Sequence, residues 1–225
     1  QYYARLLEVQ PDDQLAVMSA AKYFRRTDRP DRALSALETF ARSRQTSEQR
    51  ANAMVLVAAH HLNQGRLPLV ETTLREAADT ALTLDVAQAL AEYYVRTVNQ
   101  PEKALPWYDK GVDIAVASKS PQLALVQVGR IACVMHRAIN DVDKGQGLVT
   151  EFRRSYPDDA RGVYWESEVH ARKGLIERGV AVLSEYLHRV PDDANMLYHR
   201  ARQYLSLGRN AQALEDLERI KRISP

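Results

Sequence analysis

A chain of 225 residues with 45% hydrophobic residues, nine glycines and abundant Ala, Leu, Glu and Arg has the make-up of an all-helical soluble protein. Its formal net charge of +2 supplies no global pull toward nucleic acid or an anionic membrane. No apolar run approaches the roughly 20 residues that a membrane span needs. The single cysteine, Cys133, excludes an internal disulfide framework and a cysteine-based zinc site, and is compatible with cytoplasm or periplasm alike.

Taken in chain order, apolar residues recur at spacings of three and four, the mark of amphipathic helices. Residues 1–11 read as a trailing helix, Gln1-Tyr2-Tyr3-Ala4-Arg5-Leu6-Leu7, stopped by Pro11. Its partner helix would precede Gln1, so the chain reads as a segment of a longer array, with any signal peptide or anchor lying upstream. Six helical hairpins are expected after it, over residues 14–46, 51–80, 84–118, 125–157, 160–191 and 194–225. The first carries Val17, Ala20, Ala21 and Phe24, a turn at Asp28-Arg29-Pro30, then Ala33, Leu37 and Phe40. The second carries Met54, Val57, Ala58, His61, Gly65, Val70, Leu74 and Ala77.

The third shows Ala87, Leu90, Ala91 and Tyr94, the turn Asn99-Gln100-Pro101, then Ala104, Tyr108 and Gly111. Pro106 falls inside its second helix, and the stretch 113–121 lengthens that helix or its exit, which makes this the expected break in regularity. The fourth shows Val128, Ile131, Ala132, Met135, Gly145, Val149 and Phe152 around a longer link at Asn140-Asp141-Val142-Asp143. The fifth has Val163, Ser167, His170, Gly174, Gly179, Leu183 and Tyr186; the sixth has Leu197, Ala201, Tyr204, Leu205, Gly208, Ala213, Leu217 and Ile220.

Pro157-Asp158-Asp159 and Pro191-Asp192-Asp193 stand 34 residues apart, and Pro11-Asp12-Asp13 repeats the motif near the start. Self-similarity at that period signals an array in which each unit buries its apolar face against its neighbours. Ala21, Ala58, Ala91, Ala132, Ser167 and Ala201 sit where the two helices of a hairpin must cross closely. Gly145 and Gly179 replace alanine on second helices, at up to about 1 kcal/mol each in helix propensity.

Large, small and aromatic residues on one helix, then glycine, alanine, a large apolar residue and a closing proline, together resemble the tetratricopeptide repeat (TPR) family. The resemblance covers essentially the whole chain. It implies an all-α fold, a right-handed α-solenoid of antiparallel hairpins forming a TPR superhelix. It also implies a protein–protein interaction scaffold, whose concave groove, lined by the first helices, holds a peptide or partner protein. The alternative is a scaffold arm of a larger enzyme or of a bacterial envelope assembly exporting polysaccharide.

No catalytic constellation, cofactor loop or metal motif is expected. None of the six histidines forms an HExxH-type pair, and His61 and His170 occupy the aromatic place, which favours packing. Cys133 and His136 share a helical spacing, but two ligands make a poor metal site. The paired acids after each proline suit helix capping better than acid–base work. Mapped on the repeat, the groove residues are Lys22, Arg26, Asn63, Glu92, Arg96, Arg137, Tyr164, Glu168, Arg172, Tyr198 and Arg202. Arg26, Asn63, Arg96, Arg137, Arg172 and Ser206 stand two places after the aromatic position, and four arginines there would form a ladder suited to carboxylates. Arginine is also simply the common basic residue of this chain, and either reading explains the column. The neighbouring column, Lys22, Ala59, Glu92, Cys133, Glu168 and Arg202, changes sign along the array, which suits a defined peptide better than a nucleic acid. Met18 and Val55 depart from the family's carboxylate-clamping pattern.

Overall fold

The computed structural model describes residues 2–44 and 46–223 and contains thirteen α-helices and no strand among them. They are α1 (Tyr2–Val9), α2 (Gln14–Arg26), α3 (Pro30–Ser43), α4 (Ser47–Asn63), α5 (Leu67–Thr80), α6 (Leu84–Glu92), α7 (Pro101–Ala117), α8 (Leu123–Val134), α9 (Val142–Ser155), α10 (Ala160–Arg172), α11 (Ile176–Arg189), α12 (Ala194–Ser206) and α13 (Asn210–Ile223). A π-helical turn, Tyr93–Thr97, continues α6. The chain forms two compact units, residues 1–120 and 121–225. Within each, consecutive helices pair as hairpins, α2/α3, α4/α5 and α6/α7 in one, α8/α9, α10/α11 and α12/α13 in the other. Adjacent hairpins stack through α3/α4 and α5/α6, and through α9/α10 and α11/α12. This is an all-α fold of the α-solenoid class.

The Pro-Asp-Asp motif has a division of labour. Its second aspartate is the N-cap: the Asp13, Asp159 and Asp193 carboxylates accept backbone N–H bonds from the first turns of α2, α10 and α12. Its first aspartate reaches the end of the next second helix, where Asp12 meets Arg44, Asp158 meets Arg189 at 2.8 Å and Asp192 meets Arg219 at 2.9 Å. Such exposed pairs contribute only about 0.2–1 kcal/mol apiece, so the cap is the stronger half of the motif.

Each hairpin link contains one left-handed residue: Asp28, Gly65, Asn99, Asn140, Gly174 and Gly208 all have φ between 50° and 77°. This residue follows the aromatic position by four places in four hairpins, but by five from Tyr94 to Asn99 and from Met135 to Asn140. The extra residue is absorbed in two ways. In the third hairpin the π turn takes it up, with the Val98 N–H bonded to the Tyr93 carbonyl at 3.2 Å. In the fourth, α8 stops at Val134 and a longer link follows.

The π turn lets two successive tyrosines face α5. Tyr94 is fully buried; its hydroxyl donates to Glu71 at 2.8 Å and accepts from Arg75 at 2.8 Å, while Tyr93 donates to the Leu67 carbonyl at 3.2 Å. Burial, and then the bond to the Glu71 carboxylate, push the Tyr94 phenol up to about 12.

Small residues close the crossings. Ala21, Ala58, Ala91, Ser167 and Ala201 are buried on first helices; the equivalent places on their second helices hold Ala33, Val70, Ala104, Gly179 and Ala213, and Gly145 of α9 lies against Met135. Ala132 departs from this set. It is only half-buried, while Cys133, Val134 and Met135 are buried, because α8 ends before completing the turn that sets the register of its siblings. In the last hairpin, Arg200 spans α11 to α13, donating to both Asp216 oxygens at 2.9 and 2.6 Å and to the Ser184 hydroxyl at 3.1 Å.

Gly179 is required by space. A Cβ at Gly179 would lie 2.9 Å from the Ser167 backbone carbonyl, whereas nothing lies within 4 Å of one at Gly147 in α9. Gly179→Ala is therefore expected to destabilise by about 1–3 kcal/mol through overpacking, and Gly147→Ala to stabilise by about 0.5–1 kcal/mol through helix propensity. Urea unfolding of the two variants checks the opposite signs. Asp216→Ala leaves the largely covered Arg200 guanidinium without its counter-ion and is expected to cost about 2–4 kcal/mol by the same measurement.

Candidate partner-binding faces

In the unit 1–120 the first helices are α2, α4 and α6. On α2, Lys22 and Arg26 are exposed, carry no carboxylate partner among the described residues, and line a hollow of about 590 Å³ with Tyr3 and Tyr23, whose rings stack at 4.5 Å. On α4, Asn63 donates its side-chain amide to the Ala59 carbonyl of its own helix at 2.7 Å. On α6 and the π turn, the exposed side chains of Glu92 and Arg96 pair at 2.8 Å. Between α4 and α6 lies an apolar cleft of about 290 Å³. Val55, Ala59 and Leu62 form one wall, Ala89 and Tyr93 the other, Val70 and Leu74 of α5 the floor, and Glu92 and Arg96 the rim.

In the unit 121–225 the first helices are α8, α10 and α12. Tyr164 of α10 packs its ring 4.3 Å from that of His199 on α12, and Tyr198 lies 5.7 Å from the same imidazole with half of its surface exposed. Burial, then the Arg202 charge, depress the His199 pKa; burial, then Glu168, raise that of the Tyr164 phenol. The structure thus gathers Tyr164, Tyr198 and Arg202 around His199, with Glu168 acting on Tyr164.

The arginine column does not persist as one series. Arg172 donates to the carbonyl of Met135 and, at 2.9 Å, to the Asn140 side chain, so its guanidinium closes the end of α8. Arg137 lies in the link beyond α8, not on that helix, because α8 ends early. His136 is in the same link, and Cys133 is buried, so the two do not share an exposed helix face. No cluster of three or more metal-binding side chains occurs among the described residues.

One buried residue is reached by no motif. His60 is as buried as His61, and neither His60 ring nitrogen has a hydrogen-bond partner. The signal that could have revealed the cleft is Ala59, a short apolar residue in a column otherwise filled by Lys22, Glu92, Glu168 and Arg202, with Cys133 withdrawn into the core.

Stacked helical hairpins with small-residue crossings, and exposed first-helix faces free of packing duty, define a repeat protein built as a surface. The Tetratricopeptide repeat family model matches residues 18–81, 136–194 and 174–225, more than half of the chain, and the chain belongs to that family. No curated protein matches it significantly. Among solved structures it is similar to a tetratricopeptide repeat protein from Parabacteroides merdae, at 15% identity over 99% of this chain and 80% of that one, with a TM-score of 0.73. It is also similar to PilW, a type IV pilus biogenesis factor, at 13% identity over 91% of each chain with a TM-score of 0.66. YrrB, a TPR protein with an unusual peptide-binding site, shares 14% identity over 88% of this chain and 96% of its own, with a TM-score of 0.57. At such identities the likeness is one of fold.

The buried histidines make stability depend on pH. Burial lowers the His60 pKa below 6.5, with repulsion from His61, Arg25 and Arg66 adding to it and Asp31 opposing; burial and Arg66 lower that of His61 against Glu38. A depressed folded pKa means that the unfolded chain binds more protons, so stability is full above the unfolded value and falls as pH drops below 6.5. Melting temperatures measured from pH 7.5 to 5 are expected to fall, and His60→Leu to flatten that fall.

Proposed function

We propose that the chain is a non-catalytic interaction module that holds a peptide or partner protein on the exposed faces of its first helices. The observation that carries this is the pairing of a closed core with open, side-chain-rich first-helix faces in each unit. One such face is the apolar cleft between α4 and α6, and the other is the tyrosine–arginine cluster on α10 and α12. The core uses none of Lys22, Arg26, Tyr198 or Arg202, whereas it does use Arg172 and both buried histidines. The peptide site described for YrrB supports the same use of this fold.

A protein partner fits better than nucleic acid, since charge is nearly balanced over the chain and the faces mix acids with bases. Among the described residues no helix is long and apolar enough to cross a membrane. His60 and His61 are taken up by packing, and the second aspartate of each Pro-Asp-Asp motif by capping.

Selection of random twelve-residue peptides displayed on phage, followed by hydrogen-exchange mapping of the enriched binders, tests this reading. Protection on α2, α4, α6, α10 and α12 is expected. Tyr198→Ala with Arg202→Glu should weaken binders that map to α10 and α12 by tenfold or more, while the melting temperature stays within a few degrees. Protection confined to the second helices would overturn it.

A further inference from the structure

We infer that the cleft between α4 and α6 is an anchor pocket for one large apolar side chain of an acidic peptide, with the acidic residues directed toward Lys22 and Arg26; this rests on the peptide-binding reading above. The cleft exists because two positions of the repeat are altered in the same hairpin. Ala59 stands where the equivalent places on α2, α6, α10 and α12 carry Lys22, Glu92, Glu168 and Arg202, so the side chain that would cover the opening is missing. Val70 stands where the other second helices place alanine or glycine at the crossing, and its side chain forms the floor instead of a tight closure.

What remains is a hollow of about 290 Å³ whose walls and floor are aliphatic or aromatic, with Leu62 41% exposed at its edge. A face needing only to be wetted would carry charge here, as its siblings do. Apolar surface kept open to solvent, rimmed by polar groups, marks an interaction site. The far wall is held rigid, since the Tyr93 and Tyr94 hydroxyls are tied to Leu67 and Glu71 of α5. A preformed wall lowers the ordering cost of binding.

The charge around the cleft selects the peptide. Glu92 and Arg96 at the rim pair at 2.8 Å and Asp85 stands exposed two turns earlier on α6, while Lys22 and Arg26 of α2 are cations with no carboxylate partner among the described residues. Helix α2 is the neighbour of α4, since its Arg25 lies close enough to His60 to depress the imidazole pKa. On the α2 side of the anchor an acidic residue therefore meets cations, and a basic one meets repulsion.

The probe is the fluorescein-labelled peptide Asp-Glu-Gly-Phe-Gly-Glu-Asp, compared with counterparts in which the phenylalanine is serine or the four acids are lysine. Anisotropy is expected to show the first binding at least tenfold more tightly than either counterpart. Ala59→Gln should abolish that preference for phenylalanine by filling the cleft, and folding is protected because equivalent helices carry long side chains at this place. Lys22→Glu with Arg26→Glu should weaken binding several-fold and remove its salt dependence. Equal binding of the phenylalanine and serine peptides, tighter binding of the lysine peptide, or indifference to Ala59→Gln would each overturn the inference. If phage-selected peptides still protect the first helices in those cases, the broader reading survives and only the anchor pocket falls.

Discussion

Close approach of two helices at a residue with almost no side chain is the constraint on which this molecule rests. A hairpin of two amphipathic helices buries little by itself, and becomes stable only when its backbones come near enough for the flanking large residues to interlock and for the next hairpin to cover the rest. Ala91 against Ala104, Ser167 against Gly179 and Ala201 against Ala213 show the pattern, and the carbonyl of Ser167 leaves no room for a single methyl at Gly179. Where Val70 relaxes the rule, surface opens. The same constraint that closes the core thus decides where the face has depth.

Spacing is the second constraint. Each first helix must end in a left-handed residue at a set distance from its aromatic anchor, and an added residue has to go somewhere. In the third hairpin it widens the helix into a π turn and brings Tyr93 and Tyr94 onto α5 together. In the fourth it shortens α8, withdraws Cys133 into the core and moves Arg137 off the helix. Arg172 then satisfies the carbonyl that the early stop leaves at Met135. One inserted residue therefore recruits an arginine that would otherwise face solvent.

Charge plays a positional part more than an energetic one. The Pro-Asp-Asp motif gives one aspartate to a cap and the other to an arginine at a helix end, whereas the Arg200–Asp216 pair is largely shielded from water. Because most ion pairs lie at helix ends and hairpin seams, the first-helix faces keep charges with no structural debt, Lys22 and Arg26 foremost. This separation between seam charges and face charges leaves the residues of the first-helix faces free to vary.

The amino-acid sequence by itself determined the class of fold, since period, small-residue crossings, capping aspartates and helix stops are all local or strictly repeated signals. It also marked Lys22, Arg26, Glu92, Arg96, Tyr198 and Arg202 as exposed face positions, because helical periodicity alone separates them from the core. Tertiary structure decided the rest. Whether an extra residue makes a π turn or an early helix end depends on what α5 and α10 offer in return, Glu71 and Leu67 for the tyrosines and Arg172 for an orphan carbonyl. The burial of His60 beside His61, and the cleft beneath Ala59, likewise arise from residues on three helices converging in space, which no linear spacing encodes.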